Sequence, residues 1–190
     1  MAARIQALNL PSFRGLLIAI HRDLFVIDRY ALVYVTNEPI SIAEKMVLIL
    51  EDRRYFNHPG IDVIACGREL LRAVTRRRHG GASTIMQFVR TATGYKERTL
   101  RRKLYEMVLA MIIQFRYSKP EILRSYLACA FFGSGIFGID RASQNQYGKN
   151  SSELTLPEAA FIAAMLVYPK PLGVSTLYHR IEGDHGAPNG

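Results

Sequence analysis

The spacing of apolar residues along the chain predicts a mostly helical protein. Apolar residues recur every three or four positions, as on one side of an α-helix, in five stretches. These stretches are residues 12–28, 41–52, 99–115, 119–131 and 156–167. Residues 32–35 are apolar and β-branched enough for a short strand, and the glycines at 80–81 and 133–135 predict loops. The pattern favours an all-α fold.

Two of the predicted helices gather their large apolar residues on one face, the typical pattern of a helix at the surface of a globular protein. In helix 41–52 this face comprises Ile42, Met46, Ile49 and Leu50. In helix 99–115 the apolar residues are Leu104, Val108, Met111, Ile112 and Phe115.

Helix starts are marked by capping boxes, in which a Ser or Thr side chain and a Glu three residues later satisfy each other's free backbone N–H groups. The three candidate pairs are Ser41 with Glu44, Ser118 with Glu121, and Thr155 with Glu158. Pro120 and Pro157 fall in first turns, where a missing N–H group has no cost.

Length and composition limit the domain organisation and the kinds of site that are expected. The 190 residues suit one domain with a small subdomain, divided into an N-terminal segment 1–39, a core 40–172 and a partly disordered extension 173–190. Cys66 and Cys129 are distant and in apolar contexts, which favours buried free thiols, and the five scattered histidines predict no metal site. The longest uncharged run, residues 125–139, is shorter than the ~20 residues of a membrane span, so a soluble or peripheral chain is expected.

The positive charge is concentrated in one window. The net charge is +9, and residues 68–103 contain eleven Lys or Arg and two Glu, which accounts for all of it. Such a window predicts a polyanionic partner: nucleic acid, an anionic membrane surface or a phosphorylated substrate. Nucleic acid is disfavoured because Phe88 and Tyr95 are the window's only aromatics. For the run 76–78, a solvated face without a partner is an equal alternative.

Two carboxylates stand out as candidates for catalysis. Glu51, followed by Asp52, ends an apolar helix, where burial should raise the pKa of its carboxyl toward that of a useful base. Glu106 lies four residues after Arg102, on the same helix face; the simpler interpretation is an ion pair worth ~0.5 kcal/mol. Carboxylates accompanied by cations suit chemistry on a sugar with a phosphate leaving group.

Five sequence blocks, in order, resemble the glycosyltransferase domain of bacterial peptidoglycan polymerases, the class A penicillin-binding proteins and monofunctional transglycosylases. The blocks are residues 51–60, 80–90, 102–106, 117–149 and 154–169, within a span of about 40–171. The resemblance implies an all-α, lysozyme-like glycosyltransferase domain with a small membrane-facing subdomain. It also implies polymerisation of lipid II, a lipid-linked disaccharide-pentapeptide, with release of undecaprenyl pyrophosphate.

The resemblance further implies the residue roles. Glu51 is the general base for the acceptor hydroxyl, and Glu106 is the second site carboxylate, which orients cations. Asp52 supports the site, and His58 orients a loop. The remaining expected substrate-binding residues supply cations for the pyrophosphate or neutral hydrogen bonds: Ser83, Thr84, Gln87, Arg90, Arg102 and Lys103.

The second block is one residue shorter than the family pattern, near Ile85. Because one residue turns a helix by ~100°, Ser83 and Thr84 are expected to be displaced relative to Gln87. Two other functions stay open: a glycan-cleaving, lysozyme-like enzyme, which would share the helical fold and a catalytic Glu, and a module that binds precursor or membrane and has lost its activity through the shorter second block.

The expected partners are lipid II, the growing glycan strand, an anionic membrane surface and other cell-wall synthesis proteins, but no nucleic acid. No cofactor is required, although a divalent cation could assist the pyrophosphate. The resemblance places the site on the outer, periplasmic face of the cytoplasmic membrane.

Overall fold

The computed structural model describes residues 12–31, 38–58, 83–95 and 99–169, and these residues are mainly helical. Two short 3₁₀ helices, Tyr55–Asn57 and Ser151–Glu153, lie between the α-helices. Within the described residues the α-helices are α1 Phe13–Ala31, α2 Ile42–Glu51, α3 Thr84–Thr93, α4 Leu100–Arg116, α5 Lys119–Cys129, α6 Ile139–Tyr147 and α7 Leu156–Val167.

Local hydrogen bonds explain several helix ends. At α2 the Ser41 N–H donates to Glu44 Oε2 at 2.7 Å and the Glu44 N–H donates to Ser41 Oγ at 3.2 Å, and a reciprocal capping box also starts α7 at Thr155. At α5 the Ser118 N–H donates to Glu121 Oε2 at 2.6 Å. These bonds fix the starts of α2, α5 and α7 at the predicted positions.

The chain divides into two compact units. The first comprises Met1–Ile40 and Glu51–Cys129. Its central element is α3, which packs against α1, α4 and α5. The side chains that α3 buries are Ile85, Met86, Phe88 and Val89.

The second unit comprises Ser41–Leu50 and Ala130–Gly190. Here α6 packs against α7, with Ile139 and Ala142 on one helix and Ile162 and Ala163 on the other buried. A glycine-rich loop precedes α6, in which the Phe132 N–H donates to the Ile136 carbonyl at 2.9 Å. The division at residues 39 and 172 expected from the sequence stays a prediction.

The apolar faces assigned from the sequence do not form the core. On α2, Ile42, Ile49 and Leu50 are exposed, whereas Ala43, Glu44, Val47 and Leu48 are buried. On α4, Leu104 is 54% exposed and Phe115 is 88% exposed, and Val108 and Met111 are also exposed. The buried side of α4 instead consists of Arg102, Tyr105, Glu106, Leu109, Ala110 and Ile113.

The five predicted helices are confirmed to within a few residues, and the described ranges contain two further α-helices, α3 and α6, that were not predicted. Helix α3 overlaps the second sequence block, which was interpreted as a family motif and not as a helix. Helix α6 is so polar that its apolar spacing gives little signal. Both end at a glycine in the left-handed conformation, Gly94 with φ 68° and Gly148 with φ 64°, which is the sequence signal that could have located them.

Several predictions lie outside the described residues: the strand at 32–35, the loop at 80–81, Cys66, the run 76–78 and the C-terminal extension. Cys129 is a free thiol, as expected, and burial raises its pKa to about 12. In the described ranges, no helix combines the length and apolarity needed to cross a bilayer. The same ranges contain no group of three or more potential metal-binding side chains.

Candidate active site

Glu51 is the last residue of α2, and its carboxylate is surrounded by neutral hydrogen-bonding groups. The Tyr126 hydroxyl, on α5, lies 3.4 Å from Glu51 Oε2 and 2.8 Å from Gln87 Oε1 on α3. Burial raises the pKa of Glu51 above its usual value, opposed by hydrogen bonds from Tyr126 and Gln87 and aided by the neighbouring charge of Asp52. The expected direction of the pKa shift is confirmed, and the role of Glu51 as a general base stays a prediction.

Asp52, the next residue, is buried and faces the start of α3. Its Oδ2 atom accepts a hydrogen bond from the Thr84 N–H at 3.1 Å and lies 3.3 Å from His58 Nε2. The N-terminus of a helix favours a negative charge, because its first N–H groups have no partner within the helix. Asp52 therefore fastens the end of α2 to the start of α3, which agrees with a supporting role.

A half-buried lysine, Lys119, holds the turn that follows Glu51 and Asp52. The Lys119 ammonium donates to the backbone carbonyls of Tyr55 and His58, the latter at 2.6 Å. In return, the Tyr55 hydroxyl donates to the Lys119 carbonyl at 2.8 Å. Desolvation lowers the pKa of Lys119, with the charge of Asp52 opposing that change. These bonds tie the segment after Glu51 to α5.

Glu106, on α4, is a buried carboxylate between two arginines. Its side chain is 1% exposed. Arg90 of α3 approaches it with two nitrogens, Nη2 at 3.1 Å from Oε2 and Nε at 3.4 Å from Oε1. Arg102 forms a second ion pair, with Nη2 at 2.5 Å from Oε1. Two guanidinium groups on one carboxylate leave a net positive charge at this point.

Arg102 is almost fully enclosed, whereas Arg90 reaches solvent. The Arg102 side chain is 2% exposed, and its Cζ atom lies 4.5 Å from the centroid of the Tyr95 ring. Its Nε and Nη1 atoms are buried without a hydrogen-bond partner among the described residues. Buried donors normally have acceptors. An arginine with unused donors beside a second, half-exposed arginine is suited to binding an anion with several oxygens.

Helix α3 brings the two carboxylate clusters together. Gln87 contacts the Glu51 cluster and Arg90 contacts Glu106, and residues three apart lie on the same face of a helix. Their rise along the helix axis is ~4.5 Å, at ~1.5 Å per residue. The residues of α3 that contact Glu51, whose pKa is raised, and the arginine cluster around Glu106 are thus less than one helical turn apart along the helix axis.

Three other predicted site residues have different environments. Ser83 is buried and caps α3, its Oγ atom accepting from the Met86 N–H at 3.4 Å. Thr84 is fully buried, and its hydroxyl has no partner among the described residues. Lys103 is half-buried and makes no ion pair with any described residue. The substrate-binding roles of these three residues and of Asp52 stay predictions. The expected displacement of Ser83 and Thr84 relative to Gln87 also stays a prediction.

Three residues of this region were not singled out from the sequence: Tyr126, Lys119 and Tyr95. Tyr126 and Lys119 belonged to the fourth sequence block, so their position in that block was the only available signal. Tyr95 follows the Gly94 cap of α3, and no local pattern connects it with Arg102. Tertiary packing alone brings Tyr126 to Glu51, Lys119 to the turn at His58 and Tyr95 to Arg102.

Comparison with known proteins identifies the family. The transglycosylase family matches residues 29–182. The chain belongs to the transglycosylase family. This match includes both carboxylate clusters and confirms the resemblance found from the five sequence blocks, together with the all-α, lysozyme-like fold class that it implied.

Individual relatives support this assignment. Penicillin-binding protein 1A of Rickettsia typhi is 35% identical over 163 residues, which are 83% of this chain and 21% of that protein. Penicillin-binding protein 2a of Streptococcus pneumoniae is 38% identical over 128 residues, 67% of this chain and 17% of the relative. Penicillin-binding protein 1F of Bacillus subtilis is 32% identical over 147 residues, 73% of this chain and 21% of the relative. The chain thus spans about a fifth of the length of these relatives.

Proposed function

We propose that this transglycosylase chain is a peptidoglycan glycosyltransferase that polymerises lipid II into glycan strands and releases undecaprenyl pyrophosphate. The observation that carries the proposal is the pairing, along α3, of a carboxylate with a raised pKa and two arginines held by the buried Glu106. Attack of a sugar hydroxyl on an anomeric pyrophosphate needs these two functions, a base and a group of cations.

In this proposal Glu51 accepts the proton of the acceptor 4-hydroxyl as the new glycosidic bond forms. Burial favours the protonated product state of Glu51, since it raises the carboxyl pKa. Gln87 and Tyr126 hold the carboxylate through neutral hydrogen bonds, and none of the described residues forms an ion pair with it. An uncompensated carboxylate is a better proton acceptor than one in an ion pair.

The departing pyrophosphate gains negative charge in the transition state. Arg90, Arg102 and Lys103 are proposed to receive it, with Glu106 holding the two arginines. The free Nε and Nη1 donors of Arg102 support this role, because phosphate oxygens would give them acceptors. Ser83, Thr84 and Gln87 are proposed to contribute hydrogen bonds to the substrate.

The proposed setting is the outer face of the cytoplasmic membrane, where the chain would meet anionic lipid and other cell-wall synthesis proteins. The excess positive charge of residues 68–103 supports association with an anionic surface. A resident cofactor is not part of the proposed mechanism, although a divalent cation could assist the pyrophosphate.

The test is incubation of the protein with labelled lipid II, with separate measurement of polymer, shortened glycan and bound precursor. Polymer is expected from the wild type, and Glu51→Gln should lower its rate by roughly 10²–10⁴ because the base is lost. Glu38→Gln makes the same chemical change at an exposed site and serves as the matched control. Shortened glycan, binding without polymer, or a Glu51→Gln rate above a tenth of wild type would contradict the proposal.

A further inference from the structure

Helix α1 contributes a buried carboxylate to a cluster of hydroxyl groups. Asp23 is 4% exposed, and its Oδ2 atom accepts hydrogen bonds from the Tyr95 hydroxyl at 2.9 Å and the Tyr105 hydroxyl at 2.8 Å. Its Oδ1 atom accepts from Arg22 Nε at 3.0 Å, and Arg22 Nη2 also donates to the Tyr95 hydroxyl. Asp23 therefore connects α1 with the residue after α3 and with α4.

The Tyr95 ring lies against Arg102 and is itself packed against Tyr105. The two tyrosine rings pack edge to face, with centroids 6.4 Å apart and an interplanar angle of 85°. The guanidinium of Arg102 lies over the Tyr95 ring, with its Cζ atom 4.5 Å from the centroid. Glu106 holds one side of this guanidinium, and the ring determines the plane in which it lies.

We propose that Asp23 is a positioning residue for the transfer reaction: through the Tyr95 and Tyr105 hydroxyls it fixes the ring against which Arg102 lies. This inference rests on the proposed function of Arg102 in receiving the pyrophosphate. Arg102 has unused Nε and Nη1 donors, so few other hydrogen bonds define its orientation. A tilt of the Tyr95 ring would move those donors relative to the substrate.

A second Tyr–Asp bond anchors the same helix without contact to Arg102. The Tyr117 hydroxyl, directly after α4, donates to Asp28 Oδ1 at 2.7 Å, and Arg116 Nη2 pairs with Asp28 Oδ2 at 2.9 Å. Loss of the Tyr117 hydroxyl weakens the attachment of α1 in the same chemical way as loss of the Tyr95 hydroxyl. The two sites therefore separate a positioning role from simple anchoring.

The experiment compares Tyr95→Phe and Asp23→Asn with Tyr117→Phe in the lipid II assay, with the melting temperature measured for each. Tyr95→Phe keeps the ring and removes one oxygen, so it should fold even if Asp23→Asn does not. We expect Tyr95→Phe to lower kcat about 10- to 100-fold with KM changed less than about twofold, as for a displaced catalytic group. Tyr117→Phe should lower the melting temperature comparably and retain kcat.

A second readout does not depend on catalysis. The NMR signal of the Arg102 Nε–H group, assigned by its loss in Arg102→Lys, should shift or exchange faster in Tyr95→Phe and stay unchanged in Tyr117→Phe. If the signal is unchanged in Tyr95→Phe and kcat equals that of Tyr117→Phe, the positioning role is overturned. If the signal moves but even Arg102→Ala retains full kcat, the positioning contact stands and the proposed function of Arg102 is refuted.

Discussion

At the residue scale, two carboxylates, the half-buried Glu51 and the buried Glu106, have different neighbours and therefore different chemistry. Glu51 is held by a tyrosine and a glutamine and forms no ion pair with any described residue, and burial raises its pKa. Glu106 is held by Arg90 and Arg102, whose charges more than balance its own. The first arrangement suits proton transfer and the second suits anion binding.

The pKa of Glu51 predicts a pH-dependent stability difference. The pKa of Glu51 in the folded chain is raised above the ordinary value of 4.5. Ionisation of Glu51 therefore destabilises the folded chain. Below pH 4.5 the residue is protonated and this loss is absent, and the loss develops as pH rises through the folded pKa. Glu51→Gln stays neutral throughout. Its melting temperature should match that of the wild type at about pH 4 and exceed it at about pH 8. Thermal melts of both proteins between about pH 4 and pH 8 measure this difference. If the melting temperature of Glu51→Gln falls relative to that of the wild type as pH rises, the raised pKa of Glu51 is contradicted.

A double-mutant cycle tests the orienting role of Glu106. Glu106→Gln should lower turnover because Arg90 and Arg102 are then held less firmly, and Arg102→Ala should lower turnover further. If Glu106 acts through the arginines, the double variant should be little worse than Arg102→Ala alone. The rates of all four proteins in the lipid II assay give the coupling. Losses that simply add would show that Glu106 acts independently of the arginines. Arg102→Lys should not keep the wild-type rate, because lysine lacks the forked donors of arginine.

At the element scale, α4 shows how a helix can bury its functional side. Its stripe of large apolar residues is exposed, and the face that carries Arg102 and Glu106 is buried with Leu109 and Ile113. The ion pair neutralises most of the buried charge and so makes this orientation possible. Helix α3 then joins this face to Glu51, through Gln87 and Arg90.

The orientation of α4 predicts a small effect for one apolar truncation and a large effect for another. Phe115→Ala should change the free energy of unfolding by no more than about 0.5 kcal/mol, as at other exposed sites, since the ring is 88% exposed. Leu109→Ala should cost about 2–5 kcal/mol, because Leu109 is fully buried. Urea denaturation measures both changes. A larger loss for Phe115→Ala than for Leu109→Ala would mean that the helix is rotated.

At the scale of the whole molecule, the positive charge is concentrated in one part of the sequence. The net charge of +9 comes from residues 68–103, and only part of this window lies within the described ranges. The exposed side chain of Arg90 adds to the positive surface there. A concentrated positive charge attracts anionic lipid over a distance that salt shortens to ~8–10 Å under physiological conditions.

Binding to anionic vesicles should therefore weaken as the salt concentration rises. Substitution of Arg76, Arg77 and Arg78 by Ala should weaken vesicle binding more than turnover on a soluble, short-chain donor. Sedimentation with anionic and neutral vesicles measures the binding, and the neutral vesicles are the control. Equal binding to both kinds of vesicle would exclude an electrostatic surface.

The sequence by itself determined the helices with strong signals and the family, whereas the catalytic roles of Glu51 and Glu106 stay predictions. Capping boxes and prolines act over three or four residues, so Ser41, Ser118 and Thr155 marked helix starts correctly without any tertiary information. The raised pKa of Glu51 also followed from its local setting, because it ends an apolar helix.

Only the tertiary structure decided which helix faces are buried and which partners the site residues have. Apolar periodicity ranks the faces of α2 and α4 by hydrophobicity, but burial depends on what packs against each face, including polar side chains neutralised by distant partners. The bond of Asp23 to Tyr95 spans 72 positions and that of Tyr126 to Gln87 spans 39. Such contacts form when helices pack, and no local pattern in the sequence encodes them.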